Sequence, residues 1–415
     1  MNGKPKNSDA MNGKHKKAES AMANEKRKQT PMTLADAVAR DYRSVALVLQ
    51  GGGALGAYQA GVYEALHEVG LRPNWLAGIS IGALNAAIIA GNAPERRVER
   101  LHQFWDTICQ PAFWPAPTLF DSLAWPLTIQ NGLSGFAAWR TMIEGQPGFF
   151  RPRVSSPLLQ KHTSPATTSW YDTAPLRATL EKLVDFDRIN DPRSMRVSIG
   201  AVNVRTGNFA YFDNTHGVLK TEHFMASGAL PPGFPAVEID GEFYWDGGIV
   251  SNTPLYKVLT ERPHRDALIL QVDLWSAGNT LPTDMTGVAE RAKEIQYSSR
   301  TRLVTEYMHE NCEQQRLLHD LMALVPLDQR DNPAFRRAEA RANGARTNLI
   351  HLIYSNKPYE GHYKDYEFSA SSMRGHWQSG VADMQHTLTH PHWFDAPDPE
   401  HPFVTHDVHR AADLR

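Results

Sequence analysis

The sequence predicts an α/β protein built on a mostly parallel sheet, and three observations carry that reading. An apolar strand, a glycine loop, a helix, a second strand, a sharp turn and another helix follow one another over residues 44–90, which is how a parallel α/β sheet opens. A further unbroken apolar run at Ala267–Leu274 has the look of a strand buried on both faces. Apolar residues then recur at three- and four-residue steps over residues 286–325, the period of one or two long amphipathic helices.

The elements follow in order. Order begins near Thr33, which is placed to N-cap a short helix ending at Asp41. Ser44–Leu49 is a continuous apolar run with β-branched members, bounded by glycines, as a doubly buried strand requires. Gly51–Gly56 opens a helix over Ala57–Val69, closed by Gly70, and Leu76–Ile79 is a second short strand. Ile81–Ala90 is an Ala-rich helix stopped by Gly91 and Asn92. Residues 104–150 interleave aromatics such as Phe104, Trp105, Phe113, Trp125, Trp139 and Phe150 with prolines that forbid a long helix. That stretch reads either as core and loop packing or as a lid or acyl-chain cleft. Ala174–Val184 is helical, and Met195–Asn203 and Asn208–Phe212 are strands around a turn at Arg205–Gly207. Leu349–Ile353 is the last strand expected. The His- and Pro-rich tail beyond residue 388 has no readable pattern, and its histidines lack the i, i+4 spacing of a metal tract.

Composition excludes several functions. A net charge of −2 gives no global field for nucleic acid. The two cysteines, Cys109 and Cys312, form neither a disulfide framework nor a zinc spacing, so neither metal nor cofactor is expected. No apolar run reaches the ~18 residues of a spanning helix, and the N-terminus lacks a hydrophobic signal region. A cytoplasmic protein with at most peripheral membrane contact is the expectation. Residues 1–32 are lysine-rich and poor in large apolar side chains, which reads as a disordered basic arm. Such an arm is either a solubilising tail or a weak anchor for anionic lipid. A homo-oligomer stays open.

Chemistry concentrates in three places. Gly78–Gly82 matches G-x-S-x-G around Ser80: a serine on a strained strand-to-helix turn tolerates no side chain two positions before or after it. The helix that follows directs its positive end to where an oxyanion develops. Gly51, Gly53 and Gly56 satisfy G-x-G-x-x-G, but the second strand ends in Ile79 and Ser80, without the ribose-binding carboxylate a dinucleotide site needs. A glycine loop beside a nucleophile turn serves better to aim backbone amides at an oxyanion. The third place is the aromatic strand Phe243–Trp245, which ends in Asp246 on the turn Gly247–Gly248, with Asn252 shortly after.

In these three motifs, in this order, the chain resembles the patatin-like phospholipase family over residues 43–275. The resemblance implies a three-layer α/β/α fold and a serine ester hydrolase with a Ser-Asp dyad, acting on lipid or other acyl-ester substrates without a cofactor. Carried onto this sequence, Ser80 is the nucleophile and Asp246 its base. Amides of the loop Gly51, Gly52, Gly53 and Ala54 form the oxyanion hole. Gly78 and Gly82 make the elbow, and Gly56, Gly247, Gly248 and Asn252 support it. One departure is Leu55, where many members carry Arg or Lys. A free aspartate, with a pKa near 3.9, is a weak base for serine, so the dyad needs Asp246 desolvated. A triad through His264, His351 or His362 is the alternative mechanism, and a lipid- or partner-binding module that has lost turnover is the alternative function. Residues 276–390, through Lys364–Phe368 and Trp377–Gly380, resemble the C-terminal extension of unknown function in some bacterial members. The expected organisation is therefore an arm at 1–32, a catalytic domain at 33–275, a mainly helical extension at 276–390 and a tail at 391–415.

Overall fold

The computed structural model describes residues 32–109, 135, 138, 140–154, 164–278, 280–355, 360–361 and 363–407, with the backbone alone at 299–302. Most of the basic arm, the centre of the aromatic stretch (Phe113, Trp125 and Trp139 among it) and His362 lie outside the described residues. Helix α1 (Leu34–Asp41) is capped by Thr33 in a capping box with Asp36. Strand β1 (Ser44–Leu49) leads through a single 3₁₀ turn at Gly53–Gly56 into α2 (Ala57–Glu68), then β2 (Trp75–Ile79) and α3 (Ile81–Ala90). Helix α4 (Arg97–Ile108) follows, and Phe104 and Trp105 on it are fully buried.

After α5 (Ala174–Leu183) come β3 (Arg196–Asn203), β4 (Phe209–Asp213), α6 (Thr221–Ser227), β5 (Val237–Ile239) and β6 (Glu242–Asp246). Strand β7 (Ala267–Asp273) precedes the 39-residue α7 (Met285–Ala323), and β8 (Thr347–Ile353), α8 (Ala370–Leu388) and β9 (Phe403–Asp407) complete the chain. The main sheet runs β9-β8-β7-β1-β2-β3-β6-β5, with β4 on the other side of β3. Pairing is parallel from β9 through β3 and antiparallel where β4, β5 and β6 join.

Alternation along β1 shows why this is a three-layer fold. Val45, Leu47 and Leu49 face a core shared with α2, α3, α4, α5 and α8. Ala46 and Val48 face a second core with the short helix Leu255–Leu259 and Met308 of α7. Two-residue periodicity on a strand covered on both faces yields an apolar run. Residues 391–415, set apart as a tail in the sequence reading, need correction: Phe403–Asp407 is the edge strand, held parallel by the free side of β8. Among the described residues no helix is long and apolar enough to cross a membrane.

Candidate active site

Ser80 ends β2 and starts α3 with φ 55° and ψ −124°, a left-handed conformation that costs a non-glycine residue about 1–3 kcal/mol. Neighbouring glycines are a steric necessity. A Cβ at Gly78 would lie 2.6 Å from the Gly82 carbonyl oxygen, and one at Gly82 would lie 2.3 Å from that of Leu49. The Ser80 amide donates to Ser227 Oγ (2.9 Å), and that hydroxyl donates to the Gly200 carbonyl (2.7 Å). The strained turn is thus tied to β3 through α6.

Strand pairing explains why Asp246 arrives here. On β3, Gly200 pairs with Ile79, the last residue of β2, and Ala201 pairs with Asp246. The opposite side of β3 is taken by β4 as far as Val202. Strand β6 therefore occupies the place that β2 vacates when the chain turns away at Ser80. Asp246 is buried; its carboxylate accepts the Gly248 amide (2.7 Å), and the Ser80 side chain lies near enough to lower its pKa. Burial drives its pKa up to about 7, against the Ser80 side chain and the Gly248 amide, which pull it down. His264 lies at the opposite end of the sheet, just before β7, and His351 lies within β8; neither imidazole acts on the Asp246 carboxyl.

The glycine loop is pinned at both ends. Gly51 donates its amide to the Asn252 carbonyl (3.1 Å) and accepts from Asn252 Nδ2 (2.9 Å) and Trp275 Nε1 (2.9 Å). The Ala54 amide donates to the Asp365 carbonyl (2.8 Å). The expectation that all four residues offer donors is corrected for these two, because their N–H groups are already used. The amides of Gly52 and Gly53 make no hydrogen bond among the described residues, and both glycines are partly exposed. A Cβ at Gly51 would come within 3.0 Å of Ser80 Cβ, so the loop lies against the serine. Gln50, fully buried, braces it from below: its Oε1 accepts from Leu274 (2.6 Å) and Trp275 (3.0 Å), and its Nε2 donates to Thr253 Oγ1 (2.8 Å).

Leu55 is fully buried in the core. Of the supporting glycines, Gly56 packs against Ile81 and Trp105, and Gly247 against the Gly200 carbonyl. Four residues not singled out as site residues turn out to matter here: Ser227, Gln50, Trp275 and Asp365. Each is bonded to a backbone group of another residue, which no side-chain pattern announces.

The patatin-like phospholipase family matches residues 47–259, and a second family described as "Patatin phospholipase" matches residues 295–400. Lysophospholipase nte1 of Aspergillus terreus is 53% identical over 51 residues, 12% of this chain and 3% of that protein. Among solved structures, VipD from Legionella pneumophila superposes with a TM-score of 0.36 at 14% identity, over 83% of this chain and 67% of that one. The complex of full-length SpcU with full-length ExoU from Pseudomonas aeruginosa gives 0.27 at 17%, over 72% and 60%.

Proposed function

The chain belongs to the patatin-like phospholipase family, and from that premise we propose that it hydrolyses carboxylic esters of lipid or lipid-like substrates through an acyl-enzyme on Ser80. The observation that carries the reading is the strand pairing that brings Ser80 and a buried carboxylate, its pKa raised to about 7, to the same point along β3. A base poised near the working pH matches both protonation state and driving force. Asp246 takes the hydroxyl proton as Ser80 Oγ attacks the ester carbonyl, and passes it to the departing alcohol. Water then enters, gives a proton to Asp246 and attacks the acyl-enzyme; the acid leaves as Asp246 returns that proton to Ser80 Oγ, restoring both residues. The amides of Gly52 and Gly53, with the N-terminus of α3, stabilise the oxyanion in both steps. Leu230 and Ile249, more than a third exposed beside Asp246, give the acyl chain an apolar approach.

The test is an alkyl fluorophosphonate probe together with a chain-length series of p-nitrophenyl esters, followed by a phospholipid panel. Wild type is expected to label and turn over, and Ser80→Ala to do neither. Ester hydrolysis retained by Ser80→Ala refutes the assignment.

A further inference from the structure

The C-terminal segment grips the glycine loop at one residue from two directions. The Ala54 amide donates to the Asp365 carbonyl at 2.8 Å, and the Ala54 carbonyl faces His376 Nδ1 at 3.3 Å. Approach is so close that a Cβ at Gly53, whose φ is +55°, would lie 2.0 Å from the Asp365 oxygen. Both grips are themselves held. Lys293 of α7 bonds the Asp365 carboxylate at 2.5 Å, and the adjoining Lys364, buried, sits between Glu290 (3.1 Å) and Glu294 (2.7 Å) of the same helix. His376 Nε2 lies 2.8 Å from Glu360 Oε1, which also accepts from the Tyr354 hydroxyl at 2.7 Å.

The charges in this cluster balance. Among the described residues, Arg291, Lys293 and Lys364 stand against Glu290, Glu294 and Asp365, with no cation in excess among these six to bind an anionic head group. What the cluster does is mechanical. Lys293 and Lys364 also flank the Trp275 ring, at 5.7 and 5.3 Å, and Trp275 bonds the Gly51 carbonyl. The loop is therefore anchored at Gly51 and at Ala54, and the two amides between those anchors are the ones left unbonded.

Resting on the Ser80 reading, we propose that the C-terminal extension belongs to the catalytic machinery: Lys293, Asp365 and His376 are positioning residues that aim the Gly52 and Gly53 amides at the oxyanion. Loss of one oxyanion donor costs about 10²–10³ in kcat, and a misplacement on the order of 1 Å about 10².

The experiment uses the full chain and compares Lys293→Met, Lys293→Arg, His376→Leu and His376→Asn. Asparagine keeps an N–H donor near the position of Nδ1. Measured for each are kcat and KM on one p-nitrophenyl ester, normalised to sites titrated with fluorophosphonate, together with Tm and hydrogen exchange at the Ala54 amide. Lys293→Met and His376→Leu are expected to lose about tenfold or more in kcat with KM near wild type and to exchange the Ala54 amide faster. Lys293→Arg and His376→Asn should recover most of the loss. Lys293, partly exposed, keeps the test open if His376→Leu fails to fold. An active wild type with Lys293→Met unchanged in kcat and in Ala54 exchange overturns this inference alone. A wild type that neither labels nor turns over overturns the Ser80 reading, and this one with it.

Discussion

As the proposed base, Asp246 must be both buried and basic, and the two demands pull stability and activity in opposite directions. Its carboxyl has a pKa of about 7 in the folded chain because burial disfavours the charge, against ~3.9 when unfolded. Between those values the folded state keeps a proton that the unfolded state has released, so stability falls as pH rises through that window. The penalty is absent below about pH 4 and complete above about pH 7, on the order of 4 kcal/mol. Asp246→Asn removes the ionisation while keeping an acceptor for the Gly248 amide. Its Tm is therefore expected to exceed that of wild type by a margin that widens from pH 5 to pH 8. The buried Asp273, also near 7, is common to both proteins and cancels. In wild type, kcat/KM should rise with pH to a plateau, half-maximal near 7. A Tm margin independent of pH, or an activity limb at pH 4, contradicts the shifted carboxylate.

At the scale of elements, the handover from β2 to β6 along β3 does most to build the site, and it was half legible in the sequence. Ser80 could be found because its turn obeys a local steric rule: glycines are needed at 78 and 82 whatever the rest of the chain does. Asp246 could be proposed because a carboxylate ending an aromatic strand on a glycine turn follows the glycine loop and the serine turn in order. That the two strands share one side of β3 was not legible, since register depends on distant partners, 121 positions away for Ile79 and Gly200 and 45 for Ala201 and Asp246. Ser227 and Gln50 stayed hidden because their side chains bond backbone amides and carbonyls, which every residue carries, and Asp365 because its own carbonyl makes the contact. The steric rule itself is testable. Gly82→Ala forces a Cβ to 2.3 Å from the Leu49 carbonyl oxygen, in the middle of packed backbone, and is expected to cost about 2–3 kcal/mol or more in urea denaturation. Gly217→Ala, with nothing within 4 Å, serves as the control and should be near neutral. Equal midpoints for the two variants contradict the close approach of α3 to β1.

Over the whole molecule, the sequence suggested a catalytic unit ending at 275 with an appendage after it, and the structure gives reason to propose one cooperative unit instead. Strands β8 and β9 extend the sheet beyond β7. Helix α8 lies so close on α2 that a Cβ at Gly61 would meet the Trp377 carbonyl at 2.0 Å, and one at Gly380 that of Tyr58 at 2.0 Å. The reason this escaped the sequence is physical. A five-residue edge strand such as Phe403–Asp407 has too short a pattern to read, and only the open side of β8 makes it a strand. Eight residues of the principal core come from beyond 275: Ile350, Leu352, Tyr354, Phe368, Met373, Trp377, Met384 and Phe394. Burying eight such side chains contributes about 12–24 kcal/mol, more than the ~5–15 kcal/mol net stability of a typical domain. A chain ending at residue 275 is therefore expected not to fold, while the full chain unfolds in one transition seen alike by far-UV circular dichroism and tryptophan fluorescence. If the shortened chain were soluble, cooperatively folded and still labelled at Ser80 by fluorophosphonate, residues after 275 would be an appendage, and the catalytic domain would hold its own oxyanion loop.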